Sequence, residues 1–174
     1  LLETAISWLT LPLGSFSLTG CPPVRSRSGG ASVAPYRCFS AADGEIVIAA
    51  INDRLFVQLC DALGHPEWAG DARFREAAAR AVNREAIHAL IEPVIAMNSR
   101  AHWRTLLEKA GVPCSPVNTL AEVLAEPHVR QLDLFDAMPG SEGVLARMPI
   151  SIDGSRGMPL APAPTLGNAN ASLL

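Results

Sequence analysis

One continuous run of the sequence, residues 34–64, has the pattern of a strand, a tight turn, a second strand and a capped helix. Tyr36 and Phe39 stand among polar residues, and Asp43-Gly44 follows, a pair typical of hairpin turns. Residues 46–51 are all apolar, which predicts a central strand buried on both faces of its sheet. Two consecutive strands joined by so short a turn must pair antiparallel.

A helix is predicted directly after this second strand. Asn52 or Asp53 can serve as its N-cap, because a short side-chain oxygen accepts a hydrogen bond from the unpaired backbone N–H groups of the first turn. The apolar residues that follow recur at helical spacing, which predicts one buried face. They are Leu55, Phe56, Leu59, Cys60 and Leu63.

Further helices are indicated downstream. A long one is predicted over residues 79–97, with a kink at Pro93 or a break in the preceding turn, because proline lacks the N–H that the helix needs. Ser99 is expected to cap the next helix and Gly111 to end it. Two short helices should follow, one opened by a capping box of Thr119 and Glu122 and one by Pro127 at its first position.

The two ends of the chain have a different character. Residues 1–11 have the pattern of a helix that should stop at Pro12 and Gly14, and the glycine- and proline-rich segment up to residue 35 favours a loop. Periodicity fades again after residue 131, where glycines and prolines predict an extended arm.

The expected fold class is therefore α+β, a small antiparallel sheet with helices packed on one face, plus an N-terminal helix and an extended C-terminal arm. The predicted domain organisation has three parts. Residues 1–34 are a helix end and a linker with a glycine loop, residues 35–131 a small α+β domain, and residues 132–174 the arm.

Composition excludes several function classes. A net charge of −3 without any Lys/Arg run argues against a nucleic-acid or membrane surface, and no apolar stretch approaches the length of a membrane span. The four cysteines are far apart with no Cys-x-x-Cys pair, so neither a metal site nor a redox pair is expected. The chain opens without Met or a secretory signal. We therefore expect a cytoplasmic protein, and we expect this sequence to be part of a longer chain.

Taken together, short motifs in order along nearly the whole chain resemble those of family III coenzyme A transferases, in their C-terminal half only. Besides residues 34–64 and Gly29-Gly30, the motifs are Leu1-Leu2-Glu3-Thr4-Ala5, Asp71-Ala72-Arg73-Phe74, Arg80-Ala81-Val82-Asn83-Arg84, Trp103 with Leu106-Leu107, Ala110-Gly111-Val112-Pro113, Pro116-Val117-Asn118, Glu122-Val123-Leu124, Glu126-Pro127-His128-Val129 and Pro164-Thr165-Leu166-Gly167.

This resemblance implies transfer of coenzyme A between an acyl-CoA and a carboxylic acid through an aspartyl-CoA thioester. The family's nucleophilic aspartate lies upstream of the segment matched by residues 1–4, so we expect no catalytic residue in this chain and no activity from it alone. Gly29 and Gly30 match the active-site loop that shields the thioester. The coenzyme A thioester is a substrate, no cofactor is expected to be tightly bound, and the resemblance implies a homodimer whose arm packs on the large domain.

Two other functions remain open at this stage. A racemase of the α-methylacyl-CoA type belongs to the same superfamily, although residues 28–36 lack the acidic residue beside a shorter Gly-Gly-Ala-Pro that is usual in that branch. A binding module without catalytic role is the other. For Gly29-Gly30 itself a structural interpretation is also open, in which the pair is only a flexible joint in a linker.

Several polar residues have a structural and a functional interpretation. Asp43, Asp53, Asp61 and Asp71 are expected at turns or helix positions, and His65, His88, His102 and His128 at the surface. Arg80, Asn83 and Arg84 could form a phosphate site, but a solvated first helical turn is favoured. Arg25 and Arg27, beside the glycine loop, are the better candidates for attracting an anion.

Overall fold

The computed structural model describes residues 1–23, 28–30, 32–139, 142–147, 149–154, 156 and 164–168. The chain divides into two compact units, Leu1–Val117 and Asn118–Leu174. The predicted boundaries after residues 34 and 131 stay a prediction. No helix in the described ranges is both long and apolar enough to cross a membrane.

The first unit begins with two helices, α1 (Leu2–Ser7) and α2 (Thr10–Thr19). The prediction that helical structure ends at Pro12 and Gly14 is wrong, because α2 continues through both residues and ends at Gly20, which has a φ of 69°. Pro12 lies in the first turn of α2, where its missing N–H has no helical partner in any case. Neither helix has a buried residue.

A three-stranded antiparallel sheet forms the centre of this unit. Its strands are β1 (Tyr36–Ala41), β2 (Gly44–Ala49) and β3 (Cys114–Pro116), and β2 lies in the middle. Phe39 pairs with Ile46 across the hairpin, and Ile48 pairs with Cys114 on the other side. The predicted hairpin and central strand are confirmed.

The two faces of the sheet differ in burial. Phe39, Ile46 and Ile48 point to one face and are completely buried against the helices. On the opposite face Val47 and Ala49 are only half-buried. The expectation that β2 is buried on both faces is therefore wrong for the second face, because the helices of this unit pack on one side only.

The helix after the hairpin, α3 (Asp53–Leu63), has the predicted cap and stripe. The Asn52 side-chain Oδ1 accepts a hydrogen bond from the Leu55 N–H at 2.9 Å, which identifies Asn52 as the cap. All five predicted apolar positions of α3 are buried. The short helix α4 (Glu67–Gly70) follows.

The long helix predicted over residues 79–97 is two helices, α5 (Ala77–Val82) and α6 (Arg84–Ile95). The break lies at Asn83, far from Pro93, which is inside α6. The Asn83 side-chain amide donates to the Ala79 carbonyl, which also accepts from the Asn83 backbone N–H, and the backbone leaves the helical conformation at Asn83 with φ −98° and ψ 24°.

The last helix of the first unit is α7 (Arg100–Lys109). Ser99 caps it as predicted, since its hydroxyl accepts from the His102 N–H, and Gly111 ends it with a φ of 72°. The indole N–H of Trp103 donates to the Ile95 carbonyl at 2.7 Å. This bond fixes α7 against the end of α6.

The second unit contains α8 (Leu120–Ala125), α9 (Pro127–Gln131), β4 (Phe135–Ala137) and β5 (Val144–Ala146). Both predicted helix starts are confirmed, the capping box of Thr119 and Glu122 and the proline at the start of α9. Within the segment predicted as an extended arm, β4 and β5 pair as a two-stranded antiparallel sheet. Gly140 and Met148 lie outside the described residues.

Candidate functional site

A polar cavity of about 580 Å³ lies in the first unit, beside the sheet edge formed by β1. Its lining comes from three segments: the loop residues 28–30, the nearby strand β1 with Glu45 of β2, and the first turns of α6, which are distant in sequence. The folded hairpin and α6 thus bring the predicted glycine loop next to charged side chains.

The glycine loop is held against β1 by one hydrogen bond. The Ser28 hydroxyl oxygen accepts from the Cys38 backbone N–H at 2.9 Å. At Gly30 a Cβ atom would lie 2.8 Å from the Val33 side chain and 3.1 Å from the Tyr36 ring. No larger residue fits at Gly30 unless these side chains move, so the loop can approach the strand this closely only with glycine there. Whether Gly29 and Gly30 form an active-site loop stays a prediction.

Strand β1 is joined to α6 through Glu92. One carboxylate oxygen accepts from the Ser40 backbone N–H at 2.9 Å, and the other accepts from the Arg37 guanidinium at 2.8 Å. Glu92 therefore fixes the distance between the strand and the helix that form two sides of the cavity, and it neutralises the charge of Arg37.

His88 lies on the cavity wall and is almost fully buried, with 7% of its surface exposed. The prediction that it lies at the surface is wrong. Its ring packs edge-to-face with the Phe39 ring, with the centroids 5.7 Å apart, and its Nε2 atom has no hydrogen-bond partner among the residues that the structure describes. Leaving such a buried polar atom unpaired costs about 1–3 kcal/mol.

Burial lowers the pKa of His88 below its ordinary value. Among neighbouring charges, Arg37 and Arg84 act in the same direction, while Glu85 and Glu92 oppose them. His88 is therefore an uncharged imidazole at neutral pH. It could have been found in the sequence, because its spacing to Ile91 and Ile95 is that of the buried stripe of α6.

Arg84 begins α6 and lines the same cavity one helical turn before His88. Its Nε atom lies 3.6 Å from a carboxylate oxygen of Glu85. The side chain of Arg84 is 30% exposed and that of Glu85 82% exposed, so the guanidinium lies deeper than the carboxylate.

Arg80 does not belong to the cavity and is not solvated, so both interpretations of it are wrong. It is completely buried, and its guanidinium donates to the Ala34 carbonyl at 3.0 Å, the Phe74 carbonyl at 2.7 Å and Asp53 Oδ1 at 2.9 Å. It also lies 4.4 Å from the centre of the Phe56 ring. Arg80 is a structural residue whose donors are used inside the core.

The remaining candidates of the sequence have structural partners or lie elsewhere. Asn83 donates within α5 and to the Arg73 carbonyl, so of the predicted phosphate cluster only Arg84 lines the cavity. Arg25 and Arg27 lie outside the described residues. His65, His102 and His128 are at least partly exposed.

Two of the aspartates have structural partners, and one cysteine is buried in the core. Asp43 accepts from the Arg100 N–H at 2.7 Å, and Asp53 accepts from Arg80. Burial raises the pKa of the Cys60 thiol to about 12, which leaves no reactive thiolate there. Within the described ranges no cluster of three or more His, Cys, Asp or Glu side chains could hold a metal ion.

Comparison with known proteins gives a consistent result. Residues 1–170 match the family described as CoA-transferase family III. The acetyl-CoA:oxalate CoA-transferase of Acetobacter aceti is 33% identical over 152 residues, which are 87% of this chain and 39% of that protein. The succinyl-CoA:mesaconate CoA-transferase of Haloarcula hispanica is 30% identical over 176 residues, 99% of this chain and 44% of that protein.

A solved structure is similar as well. The crystal structure of a CAIB/BAIF family protein from Brucella suis matches with a TM-score of 0.80 and 31% identity, covering 95% of this chain and 43% of that one. The chain thus spans about two fifths of the length of the relatives it matches. On the match of residues 1–170, this chain belongs to CoA-transferase family III.

Proposed function

We propose that this chain is the C-terminal portion of an enzyme that moves coenzyme A between an acyl-CoA and a carboxylic acid. The observation that carries the proposal is the family match over residues 1–170. The relatives from Acetobacter aceti and Haloarcula hispanica are named for transfers that involve oxalate and mesaconate, which are both carboxylic acids. The substrates of this protein belong to the same chemical class in our proposal.

The covalent chemistry needs a carboxylate nucleophile. An aspartate attacks the acyl-CoA thioester and releases the coenzyme A thiolate, which then attacks the enzyme-bound anhydride to give the aspartyl-CoA thioester and the free product acid. The acceptor carboxylate then takes up coenzyme A by the same two steps in reverse. It attacks the aspartyl-CoA thioester to form a new anhydride and release the thiolate, and the thiolate attacks the acceptor's carbonyl carbon and frees the aspartate. We assign this aspartate to sequence outside the 174 residues, because the resemblance places it upstream of the segment matched by residues 1–4; Asp43 and Asp53 are in addition engaged in structural contacts.

The loop with Gly29 and Gly30 has the role of excluding water from the thioester in this proposal. Its hydrogen bond to β1 and the tight packing of Gly30 on Tyr36 support that role, since a shielding loop must close in one defined position. A loop that only joined two domains would not need such a close approach.

The test uses the full-length protein that contains this chain. Transfer from an acyl-CoA to oxalate or succinate is followed by chromatography, together with the competing hydrolysis of the thioester. We expect transfer in the wild type, and Gly30→Ala should raise hydrolysis relative to transfer because the added Cβ displaces the loop. Gly70→Ala is the control, since nothing lies within 4 Å of a Cβ at Gly70.

The outcomes separate the possible functions. Absence of transfer with a broad set of donors and acids would reject the proposed function and favour a binding module. Exchange of the proton next to the thioester carbonyl without transfer would favour the racemase. An equal ratio of hydrolysis to transfer in Gly30→Ala and wild type would reject the shielding role alone.

A further inference from the structure

Two side chains from different segments bind the open edge of strand β1. In the described sheet no strand pairs with β1 on this side, so its outward N–H groups at Cys38 and Ser40 take other acceptors. The Ser28 hydroxyl accepts from the Cys38 N–H at 2.9 Å, and a carboxylate oxygen of Glu92 accepts from the Ser40 N–H at 2.9 Å. The glycine loop and helix α6 thus occupy neighbouring donors of one strand edge.

The two hydrogen bonds differ in strength. The acceptor on α6 is a carboxylate that is also paired with the Arg37 guanidinium at 2.8 Å, and charge-assisted hydrogen bonds are about twice as strong as neutral ones. The acceptor on the loop is the neutral hydroxyl of an exposed residue, Ser28. Breaking a neutral hydrogen bond at the surface changes an equilibrium by about two- to tenfold, because water replaces the lost partner. The bond of Ser28 is therefore the one of the two that can be made and broken repeatedly.

Packing next to Ser28 gives the loop one defined position on the strand. At Gly30 a Cβ atom would lie 3.1 Å from the Tyr36 ring, so the loop backbone lies directly against this side chain. Ser28 and Gly30 line the cavity together with Tyr36 and Cys38. The hydrogen bond of Ser28 thus fixes the loop as part of the cavity wall.

We propose that Ser28 is a positioning residue for the transfer reaction, whose hydroxyl holds the glycine loop closed through the Cys38 N–H. This assignment rests on the proposed function, in which the loop with Gly29 and Gly30 keeps water away from the thioester. Ser28 itself touches no reacting atom in this scheme. It sets the fraction of time for which the loop lies on β1, and with it the ratio of thioester hydrolysis to coenzyme A transfer.

The chemistry of the contact predicts which substitutions matter. Ser28→Ala removes the acceptor and should raise the ratio of hydrolysis to transfer about fivefold, which is the effect of one neutral hydrogen bond. Ser28→Thr keeps a hydroxyl and should restore the ratio of the wild type. Ser115→Ala is the matched control, because Ser115 is also an exposed serine but lies in β3 and does not line the cavity.

The first experiment measures the hydrogen bond without any activity. Hydrogen exchange of the backbone amides is followed by NMR in the 174-residue chain. We expect the Cys38 amide to exchange about fivefold faster in Ser28→Ala than in the wild type, because its acceptor is gone. The Ser40 amide is bound to Glu92 and is the internal control, so its exchange rate should not change.

The second experiment measures the reaction in the full-length enzyme. Transfer to oxalate or succinate and hydrolysis of the same acyl-CoA are quantified by chromatography for Ser28→Ala, Ser28→Thr and Ser115→Ala. We expect the increased ratio of hydrolysis to transfer in Ser28→Ala alone. All three variants should keep the urea midpoint of the wild type, since both serines are exposed, and this separates the effect on the loop from a loss of stability.

The proposal is overturned if Ser28→Ala leaves the exchange rate of the Cys38 amide unchanged, or if Ser28→Thr hydrolyses as much thioester as Ser28→Ala. Faster exchange with an unchanged ratio of hydrolysis to transfer would reject the positioning role while leaving the transferase function intact. If the wild type transfers no coenzyme A, the proposed function is rejected, and the exchange of the Cys38 amide alone decides whether Ser28 holds the loop.

Discussion

Replacing the buried Arg80 by methionine should destabilise the first unit strongly. The guanidinium is the hydrogen-bond donor to the carbonyls of Ala34 and Phe74, and both of these residues are buried, with 1% and 0% of their surface exposed. Methionine fills a similar volume but leaves the two carbonyls unpaired, at about 1–3 kcal/mol each. Asp53 is 59% exposed and regains water, so its lost ion pair adds little.

The expected loss for Arg80→Met is therefore about 3 kcal/mol of the free energy of unfolding, reduced somewhat because no charge then needs to be buried. Urea unfolding followed by circular dichroism at 222 nm measures it. Arg80→Lys should also destabilise, because a single ammonium cannot replace a fork of donors that reaches four separate acceptors.

Arg73→Met is the matched control for this prediction. Arg73 also pairs with an aspartate, Asp71, and also lies over a phenylalanine ring, at 4.7 Å from Phe74, but its side chain is 58% exposed. We expect its unfolding midpoint to stay near that of the wild type. If Arg80→Met and Arg73→Met had the same midpoint, the argument from unpaired carbonyls would be refuted.

Three further predictions concern activity, pH and association. The 174-residue chain alone should transfer no coenzyme A, and hydroxylamine should trap no acyl group on it, since the proposed nucleophile lies elsewhere; acyl hydroxamate formed from this chain would contradict that. Because burial lowers the pKa of His88, the folded state binds a proton there less readily than the unfolded state does. The contribution of the uncharged imidazole to the free energy of unfolding should therefore be complete above the ordinary pKa of 6.5 and decline as pH falls below it. Urea midpoints between pH 7.5 and 5 check this, and the decline should be smaller in His88→Gln but not in His102→Gln. Exposed apolar side chains on α2 and in the turn before it, such as Trp8, Leu11 and Leu18, predict that the chain forms dimers at micromolar concentration. A strictly monomeric particle in analytical ultracentrifugation would contradict this prediction.

The elements that could be predicted from the sequence are those set by local chemistry. Caps such as Asn52 and Ser99 act on the backbone a few residues away, so the residue type and its position are sufficient to find them. The strand pair followed from the Asp43-Gly44 turn and the apolar run after it. The glycine loop was singled out by its resemblance, and the structure places it in the cavity wall.

Some of the errors concern a residue whose environment depends on a distant segment, and others have a local cause. Arg80 is buried because the Ala34 carbonyl, far away in sequence, meets its guanidinium, and no local pattern reveals that contact. At Asn83 the backbone leaves the helical conformation within a regular apolar period, so the period alone does not show the break. At His88 the period itself carried the signal, but a histidine on a buried stripe was assigned to the surface by its polarity.

The hydrogen bond between Ser28 and Cys38 has a consequence for the aggregation behaviour of the protein. On its open side β1 has no neighbouring strand in the described sheet, and its outward N–H groups at Cys38 and Ser40 are occupied by side chains of Ser28 and Glu92. If the loop shields the thioester as proposed, its opening to admit a substrate would uncover one of these donors. Each opening would then present a strand edge to which another chain can add, so turnover and self-association would compete for the same conformational change.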